Sequence, residues 1–290
     1  GLALSVAVGG LVLHLYTWFA HPPELALIRA DPRILNDLYT QSAITAFGLI
    51  GVTIWYAFRL VENAKAETDR LLRNILPDSV VERLKLRPDE PIADTFAETA
   101  ILFSDISGFV PLARELGAAQ VVALLNRIVL EFDALARRHG VEKIKTIGDA
   151  YMAAAGVPLP VEQPTVRVAR LALDMLRAIE KLRNDTGIDV QLRIGIATGP
   201  VMAGVIGSQK FSYDVWGDTV NLAARLENRS TPGRVHVCPE CRERLVTLFE
   251  LESRGELDIK GVGVRETYYL IGPRNVPARA SGLDEHSPLR

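Results

Sequence analysis

Two stretches without any charged side chain, residues 1–23 and 38–58, constrain the fold more than any other feature of this sequence. Only five charged residues lie between positions 1 and 58, although the 290-residue chain contains 33 Lys and Arg and 35 Asp and Glu. A helix of about 20 apolar residues spans a hydrocarbon core about 30 Å thick. We therefore predict two transmembrane helices, Leu2–Ala20 and Tyr39–Phe58, followed by a soluble body.

The charges that flank these stretches predict the orientation of the chain. The loop at 22–37 has two cations, whereas the twenty residues after the second stretch have four, namely Arg59, Lys65, Arg70 and Arg73. The positive-inside rule therefore places the body in the cytoplasm, with a multi-pass anchor in the lipid bilayer of the inner (plasma) membrane. A signal peptide followed by a buried helix is the alternative, and the absence of Met at position 1 leaves open further spans upstream.

Composition and motifs exclude several classes of function. A net charge of −2 and a pI of about 6.3 do not fit a nucleic-acid-binding surface. The two cysteines, Cys238 and Cys241, cannot form a disulfide scaffold, and a lone C-x-x-C lacks the four ligands of a zinc site. No P-loop, G-x-S-x-G or H-E-x-x-H motif occurs, which leaves a P-loop ATPase, an α/β-hydrolase and a zincin without support.

Residues 59–91 are predicted to form a helical connector. Apolar or small residues at alternating spacings of three and four, from Val61 to Ile75, form a narrow seam suited to a parallel helix pair. Pro77 is expected to end this helix, and a second, short helix follows to Leu86. A passive tether is the alternative to a role in signal transmission.

Two aspartates are predicted at the ends of strands in the body. Thr99–Asp105 is an apolar run that ends in a carboxylate, and Ser107–Phe109 follow as the expected start of a helix whose free N–H groups suit a phosphate. Glu142–Ala155 has the pattern of a hairpin with Asp149 in its turn. Two carboxylates, supplemented by the carbonyl of Ile106, suit a hard divalent cation. For each aspartate alone, an ordinary structural turn is the alternative.

The rest of the body is predicted to be an α/β domain. The expected elements are helices at Gln120–His139 and Pro164–Thr186, two strand-like runs around Gly199-Pro200 within Val190–Ile206, and a final strand at Glu266–Ile271. Residues 273–290 are rich in Pro, Ser and charge, and we expect them to form a disordered tail.

The segment Asp214–Arg229 carries the most informative side chains. Asp218 is predicted to cap a helix on which Asn221 and Arg225, four residues apart, share one face. An amide and a guanidinium on one face suit the positioning of a ribose and the neutralisation of a phosphate. For this pair taken alone, a solvated helix face is the alternative. Lys260 precedes the final strand in the short motif DIKGVG.

Together these segments resemble the class III nucleotidyl cyclases, specifically the membrane-anchored bacterial adenylyl cyclases. The resemblance spans residues 75–272 and is carried by the motifs FSDISGF (103–109), KIKTIGD (143–149), GPV through GVIG (199–207) and residues 214–225. It implies a catalytic domain at 92–272 with a ferredoxin-like α/β sandwich fold that is active only as a dimer. Residues 75–85 are also similar to the short transducing element that often precedes such domains.

The resemblance further implies a role for each candidate residue. The implied roles are binding of two Mg²⁺ or Mn²⁺ ions by Asp105 and Asp149 with the Ile106 carbonyl, adenine recognition by Lys145 and Asp214, transition-state contacts by Asn221 and Arg225, and phosphate contact by Lys260.

The chemistry of Lys145 and Asp214 agrees with ATP as the substrate. A lysine can donate to adenine N1 and a carboxylate can accept from the 6-amino group, whereas guanine reverses both edges. A buried mismatch of this kind rejects a substrate strongly. We therefore expect cyclic AMP and pyrophosphate as products of a two-metal, in-line displacement. A guanylyl cyclase and a catalytically silent receptor or scaffold subunit are the alternatives.

The spacing of Lys145 and Asp149 favours a homodimer. Four residues of extended chain separate them by roughly 13 Å, so the two groups need not serve the same pocket within one subunit. In the family, each site takes its metal ligands from one chain and its base readers from the other. Since this chain has both sets, a symmetric homodimer with two sites is expected.

Overall fold

The computed structural model describes Gly10, Tyr16 and residues 31–207, 210–259 and 261–274. Apart from Gly10 and Tyr16, the first predicted transmembrane helix lies outside the described residues, as do Lys260 and residues 275–290 of the predicted tail. The chain divides into two compact units, Gly1–Asp69 and Arg70–Arg290.

A single long helix makes up most of the described part of the first unit. Helix α1 (Pro32–Arg73) has 42 residues, contains the second predicted transmembrane stretch and continues through most of the predicted connector helix. Among the described residues, it is the one helix long and apolar enough to cross a membrane, by length and composition. Large apolar side chains of α1 are exposed, among them Phe47 (75%) and Trp55 (59%).

The second unit is built on an eight-stranded mixed sheet. Its elements are α2 (Asp78–Leu86), β1 (Ala93–Ile106), α3 (Phe109–Leu116), α4 (Ala118–His139), β2 (Glu142–Ile147), β3 (Ala150–Ala155), α5 (Pro164–Thr186), β4 (Leu192–Ile206), β5 (Ser212–Trp216), α6 (Asp218–Asn228), β6 (Arg234–Val237), α7 (Pro239–Leu245), β7 (Phe249–Ile259) and β8 (Gly263–Pro273). The strand order is β2-β3-β1-β4-β6-β8-β7, and β5 pairs with β4 outside that path. β4 and β6 are parallel, whereas the other neighbours are antiparallel.

The core forms where the long helices pack on the central strands. Ile101 and Leu102 of β1 are fully buried, and α5 packs against β1 and β4 with Leu171 and Met175 inaccessible to solvent. Helix α5 has the predicted bounds. Helix α4 ends as predicted at His139, because Gly140 adopts the left-handed conformation (φ 63°) that favours glycine after a helix.

The prediction of two strand-like runs within Val190–Ile206 is wrong, because the structure has one continuous strand, β4, through Gly199-Pro200. Pro200 has no N–H with which to pair. The strand accommodates it because the register of the β1 pairing shifts at this point, between Phe96 and Thr99. The first half of β4 then pairs with β6 and the second half with β5.

The prediction that Asp218 caps a helix is also wrong in detail. Gly217 occupies the N-cap position with φ 139°, and α6 begins at Asp218 without a side-chain cap hydrogen bond. The carboxylate of Asp218 instead lies in the first turn, where negative charge favours the helix dipole.

Candidate active site

The two predicted metal-binding aspartates lie next to each other. Asp105 is the penultimate residue of β1, and Asp149 lies with Gly148 in the predicted two-residue turn between β2 and β3. Burial, a hydrogen bond with Asp105 and the charge of Asp105 raise the pKa of Asp149 to about 6, while the backbone N–H groups of Asp149 and Ile106 act in the opposite direction. The three predicted metal-binding positions are therefore close together.

This set of donors fits a hard divalent cation. Two adjacent carboxyl groups repel each other unless a proton or a cation lies between them, and Mg²⁺ prefers such oxygen ligands. Among the described residues there is no group of three or more His, Cys, Asp and Glu side chains arranged to hold a metal. An ion bound by Asp105 and Asp149 would therefore take its other ligands from substrate, backbone or water.

Arg193 and Glu227 belong to the same cluster, and the sequence interpretation missed both. Arg193 faces Asp105 across the β1–β4 pairing, and its Nη2 donates to Asp105 Oδ2 at 2.6 Å. Its Nε lies 3.3 Å from Oε1 of Glu227, a buried residue of α6. The signal was present in the sequence, since Arg193 is a charged residue between Leu192 and Ile194, both buried strand residues.

The predicted phosphate-binding turn lies between β1 and α3, but the helix begins later than predicted. Helix α3 begins at Phe109, and Gly108 precedes it in the left-handed conformation (φ 71°, ψ 25°), which explains the glycine. The N–H of Ser107 donates to the carbonyl of Gln191 at 2.8 Å. The N–H of Ser107 is therefore engaged within the protein, and helix α3 begins two residues later, at Phe109.

The two predicted base readers pair with each other. Lys145 of β2 donates to Asp214 Oδ2 of β5 at 2.5 Å, and the N–H of Val215 donates to Asp214 Oδ1 at 2.9 Å. The side chain of Lys145 is 36% exposed and that of Asp214 is 14% exposed. In the strand order, β3 and β1 separate β2 from β4, the partner of β5. The sheet must therefore curl to bring β5 against β2.

Asn221 and Arg225 lie on α6, as predicted. Asn221 is exposed and Arg225 is partly buried. The guanidinium of Arg225 comes within 3.5 Å of the position that a Cβ at Gly261 would occupy, so it lies beside the turn between β7 and β8. The start of α6 is held by Thr219, whose hydroxyl donates to the carbonyl of Pro200 at 2.8 Å.

The mixed sheet, the paired aspartates and the two polar residues of α6 define a nucleotidyl cyclase domain. The family model for the adenylate and guanylate cyclase catalytic domain matches residues 92–272. The chain belongs to this family, the class III nucleotidyl cyclases. A second model, MASE7, a membrane-associated sensory domain, matches residues 1–70.

Relatives of known function include both kinds of cyclase. The chain is 42% identical over 278 residues to an adenylate cyclase of Mycobacterium tuberculosis, covering 93% of this chain and 62% of that relative. It is also 42% identical over 209 residues to the guanylate cyclase soluble subunit beta-2 of Rattus norvegicus, covering 71% and 30%. The chain thus spans about three fifths of the mycobacterial relative's length, and identity alone does not separate the two activities.

The solved structures that resemble this chain also include both guanylyl and adenylyl cyclases. The catalytic core of a rhodopsin-guanylyl cyclase with converted specificity, in complex with ATPalphaS, superposes with a TM-score of 0.60 at 35% identity and covers 62% of this chain and 98% of that one. The adenylyl cyclase CyaB from P. aeruginosa superposes with a TM-score of 0.59 at 27% identity and covers 63% and 97%.

Proposed function

We propose that this chain is a membrane-anchored adenylyl cyclase that converts ATP to 3′,5′-cyclic AMP and pyrophosphate. The observation that carries the proposal is the pairing of Lys145 with Asp214. A cationic donor and an anionic acceptor side by side match adenine N1 and its 6-amino group. The guanine edge would place a donor against the lysine and an acceptor against the carboxylate, so each polar group would lose a partner.

The carboxylate cluster supports a divalent cation in the site. Asp105 and Asp149, with the Ile106 carbonyl, would hold Mg²⁺ or Mn²⁺, two ions per site. Bound there, the ions would lower the pKa of the ribose 3′-hydroxyl and stabilise charge on the phosphates.

The other candidate residues would hold the nucleotide around these carboxylates. Arg225 would neutralise charge on the α-phosphate, and Asn221 would orient the ribose. The N-terminal turn of α3, with Gly108 and Phe109, would contact phosphate oxygens, as would Lys260.

An exposed apolar surface on β4 and β5 supports a homodimer. Met202 and Trp216 are register partners across these strands and are 56% and 36% exposed, and Ile206 is 55% exposed. Apolar side chains grouped on one face are typical of a surface that another protein covers. A second copy would complete each site, with metal ligands from one chain and base readers from its partner.

The first unit supports attachment to a membrane. Helix α1 has the length and composition of a spanning helix, and the sensory-domain match covers it almost entirely. We assign residues 1–58 to a multi-pass anchor in the inner (plasma) membrane, 59–91 to the connector and 92–272 to a cytoplasmic catalytic domain. The predicted tail, 273–290, is shortened by one residue, because Pro273 is the last residue of β8.

A product assay tests the proposal. The full chain, purified in detergent or nanodiscs, is incubated with ATP or GTP and with Mg²⁺ or Mn²⁺, and products are separated by chromatography. We expect cyclic AMP from ATP and little cyclic GMP, with activity lost in Asp105→Asn and Asp149→Asn variants that keep the wild-type circular dichroism spectrum. Cyclic GMP as the main product would identify a guanylyl cyclase, and no cyclic product from the folded dimer would identify a silent subunit.

A further inference from the structure

We propose that Glu227 is a positioning residue that holds the guanidinium of Arg193 and thereby sets how Asp105 is presented to a divalent cation. The proposal rests on the proposed function in one respect, namely that Asp105 is a metal ligand. In this role Glu227 would act on Asp105 through Arg193.

The burial of Glu227 is the first observation that supports this role. Its side chain is only 8% exposed, and Arg193 Nε, at 3.3 Å, is the cation paired with it. Neither Nε nor Oε1 makes a regular hydrogen bond. Burial raises the pKa of Glu227 to about 7 although the charge of Arg193 opposes this, so the two groups interact as an ion pair above that pH. A buried carboxylate costs free energy unless a cation compensates it, and removal of either partner leaves the other charge buried alone.

The second observation is that Arg193 is held on two sides. Its Nε edge faces Glu227, and its Nη2 donates to Asp105 at 2.6 Å. A guanidinium is a rigid planar group, so carboxylates at two of its nitrogens restrict its orientation as well as its position. Together the two contacts favour the orientation in which Arg193 meets Asp105 with a single nitrogen.

The third observation is the close approach of α6 to β4. A Cβ at Gly195 would lie 2.1 Å from the backbone N of Glu227 and 2.4 Å from the carbonyl oxygen of Ala223. Only glycine allows this contact, which places the last turn of α6 directly over β4 near Arg193. The backbone position of Glu227 is thus fixed by packing, and its side chain needs little freedom to reach Arg193.

Loss of Glu227 should weaken metal binding through Asp105. Without Glu227, the guanidinium of Arg193 is free to form a bidentate hydrogen-bonded pair with Asp105. It would then compete with a cation for that carboxylate. Outer partners of metal ligands typically change metal affinity by about 10- to 100-fold when they are removed. Glu227→Gln removes the charge. Glu227→Asp keeps the charge but shortens the side chain by one methylene group, which moves the carboxylate away from Arg193.

The test measures Mn²⁺ binding to the full chain by electron paramagnetic resonance of free Mn²⁺, alongside the Mn²⁺ dependence of cyclic AMP formation. We expect both Glu227→Gln and Glu227→Asp to weaken Mn²⁺ binding by about tenfold, with the KM for ATP at saturating Mn²⁺ changed less than about twofold, as expected when ground-state nucleotide contacts are intact. Glu252→Gln, which breaks the exposed Arg234–Glu252 pair in the same unit, is the matched control and should bind Mn²⁺ like the wild type.

Two outcomes would overturn the proposal. Wild-type Mn²⁺ affinity in Glu227→Asp would mean that Glu227 contributes only its charge. If Arg193→Ala and Glu227→Gln changed the Mn²⁺ affinity additively in the double variant, Glu227 would act independently of Arg193. A wild-type chain that bound no Mn²⁺ at all would instead overturn the proposed function.

Discussion

At the scale of single residues, the proposed substrate choice rests on Lys145 and Asp214, which would present one donor and one acceptor to the base. Their mutual contact at 2.5 Å holds both groups in place on β2 and β5. A preorganised donor and acceptor discriminate better than flexible ones, because a wrong base leaves them unpaired instead of rearranging them.

The double variant Lys145→Glu with Asp214→Cys is therefore expected to reduce ATP use by at least about tenfold and to shift preference toward GTP. The measurement is kcat/KM for each nucleotide. The chain offers a matched control on the same strand, since Lys143 pairs with Asp133 at 2.9 Å with similar exposure. Lys143→Glu with Asp133→Cys should leave the ATP-to-GTP ratio unchanged. Unaltered selectivity in the first variant would contradict the base-reading assignment.

At the scale of elements, α6 carries three residues with proposed roles, namely Asn221, Arg225 and Glu227. Its close contact with β4 depends on Gly195. We expect Gly195→Ala to lower the free energy of unfolding by about 1–3 kcal/mol, as overpacking typically does, and to lower kcat further by displacing α6. Gly272→Ala on β8, where a Cβ would meet nothing within 4 Å, is the control. Equal stability of the two variants in thermal unfolding would contradict the packing argument.

The C-terminal end of α6 is held by a buried histidine. His236 of β6 is fully buried, and its Nδ1 hydrogen-bonds to the carbonyl oxygen of Leu226, one of the carbonyls left free at the end of the helix. Burial lowers the pKa of His236 to about 4, and the hydrogen bond to Leu226 only partly opposes this.

Acid should therefore destabilise the second unit. Between about pH 6.5 and 4 the unfolded chain binds a proton at His236 that the folded chain does not, so stability is complete above pH 6.5 and falls as the pH decreases, by at most about 1.4 kcal/mol per pH unit. Thermal unfolding at pH 7 and pH 5 measures the loss. The variant His236→Gln, which keeps a donor but does not titrate, should show a smaller difference in Tm between the two pH values. An equal difference would exclude His236 as its source.

Some elements could be predicted from the sequence because their signals are local. Helix α5, the end of α4 and the turn at Asp149 follow from apolar periodicity and glycine or aspartate at turns, and the structure confirms them. The continuity of β4 could not be predicted, since a Gly-Pro pair normally interrupts a strand and only the register shift in β1 permits it.

Side-chain contacts in the candidate site were harder to predict from the sequence. The family resemblance supplied Asp105 and Lys145, but the contact of Arg193 with Glu227 joins positions 34 residues apart and depends on the packing of α6 over Gly195. No local sequence pattern indicates such packing.

At the scale of the whole molecule, catalysis is expected to need two copies. A mixture of Asp149→Ala and Arg225→Ala chains should recover up to about a quarter of wild-type activity, because about half of the dimers would be mixed and each would have one intact site. A mixture of Asp149→Ala and Asp105→Ala chains should recover none, since both changes affect metal ligands. Equal failure of both mixtures would contradict a site shared between chains.

The connector should influence activity through helical phase. Each inserted residue rotates the downstream part of the helix by about 100°, so two insertions within 59–74 give the largest mismatch and four nearly restore the phase. We expect cyclic AMP formation by the full chain in membranes to be lowest with two inserted residues and close to normal with four. Equal activity with one to four insertions would identify a passive tether.

If Lys145 and Asp214 read the base as proposed, the contact that joins β2 to β5 also sets substrate choice, and this has an evolutionary consequence. Because Lys145 and Asp214 connect β2 to β5, a single substitution at either position leaves the other charge without its partner, in the case of Asp214 with only 14% of its side chain exposed. On that proposal, a lineage that exchanges ATP for GTP one substitution at a time would pass through an intermediate with one unpaired charge at this contact. A change of preferred nucleotide would therefore need both substitutions together.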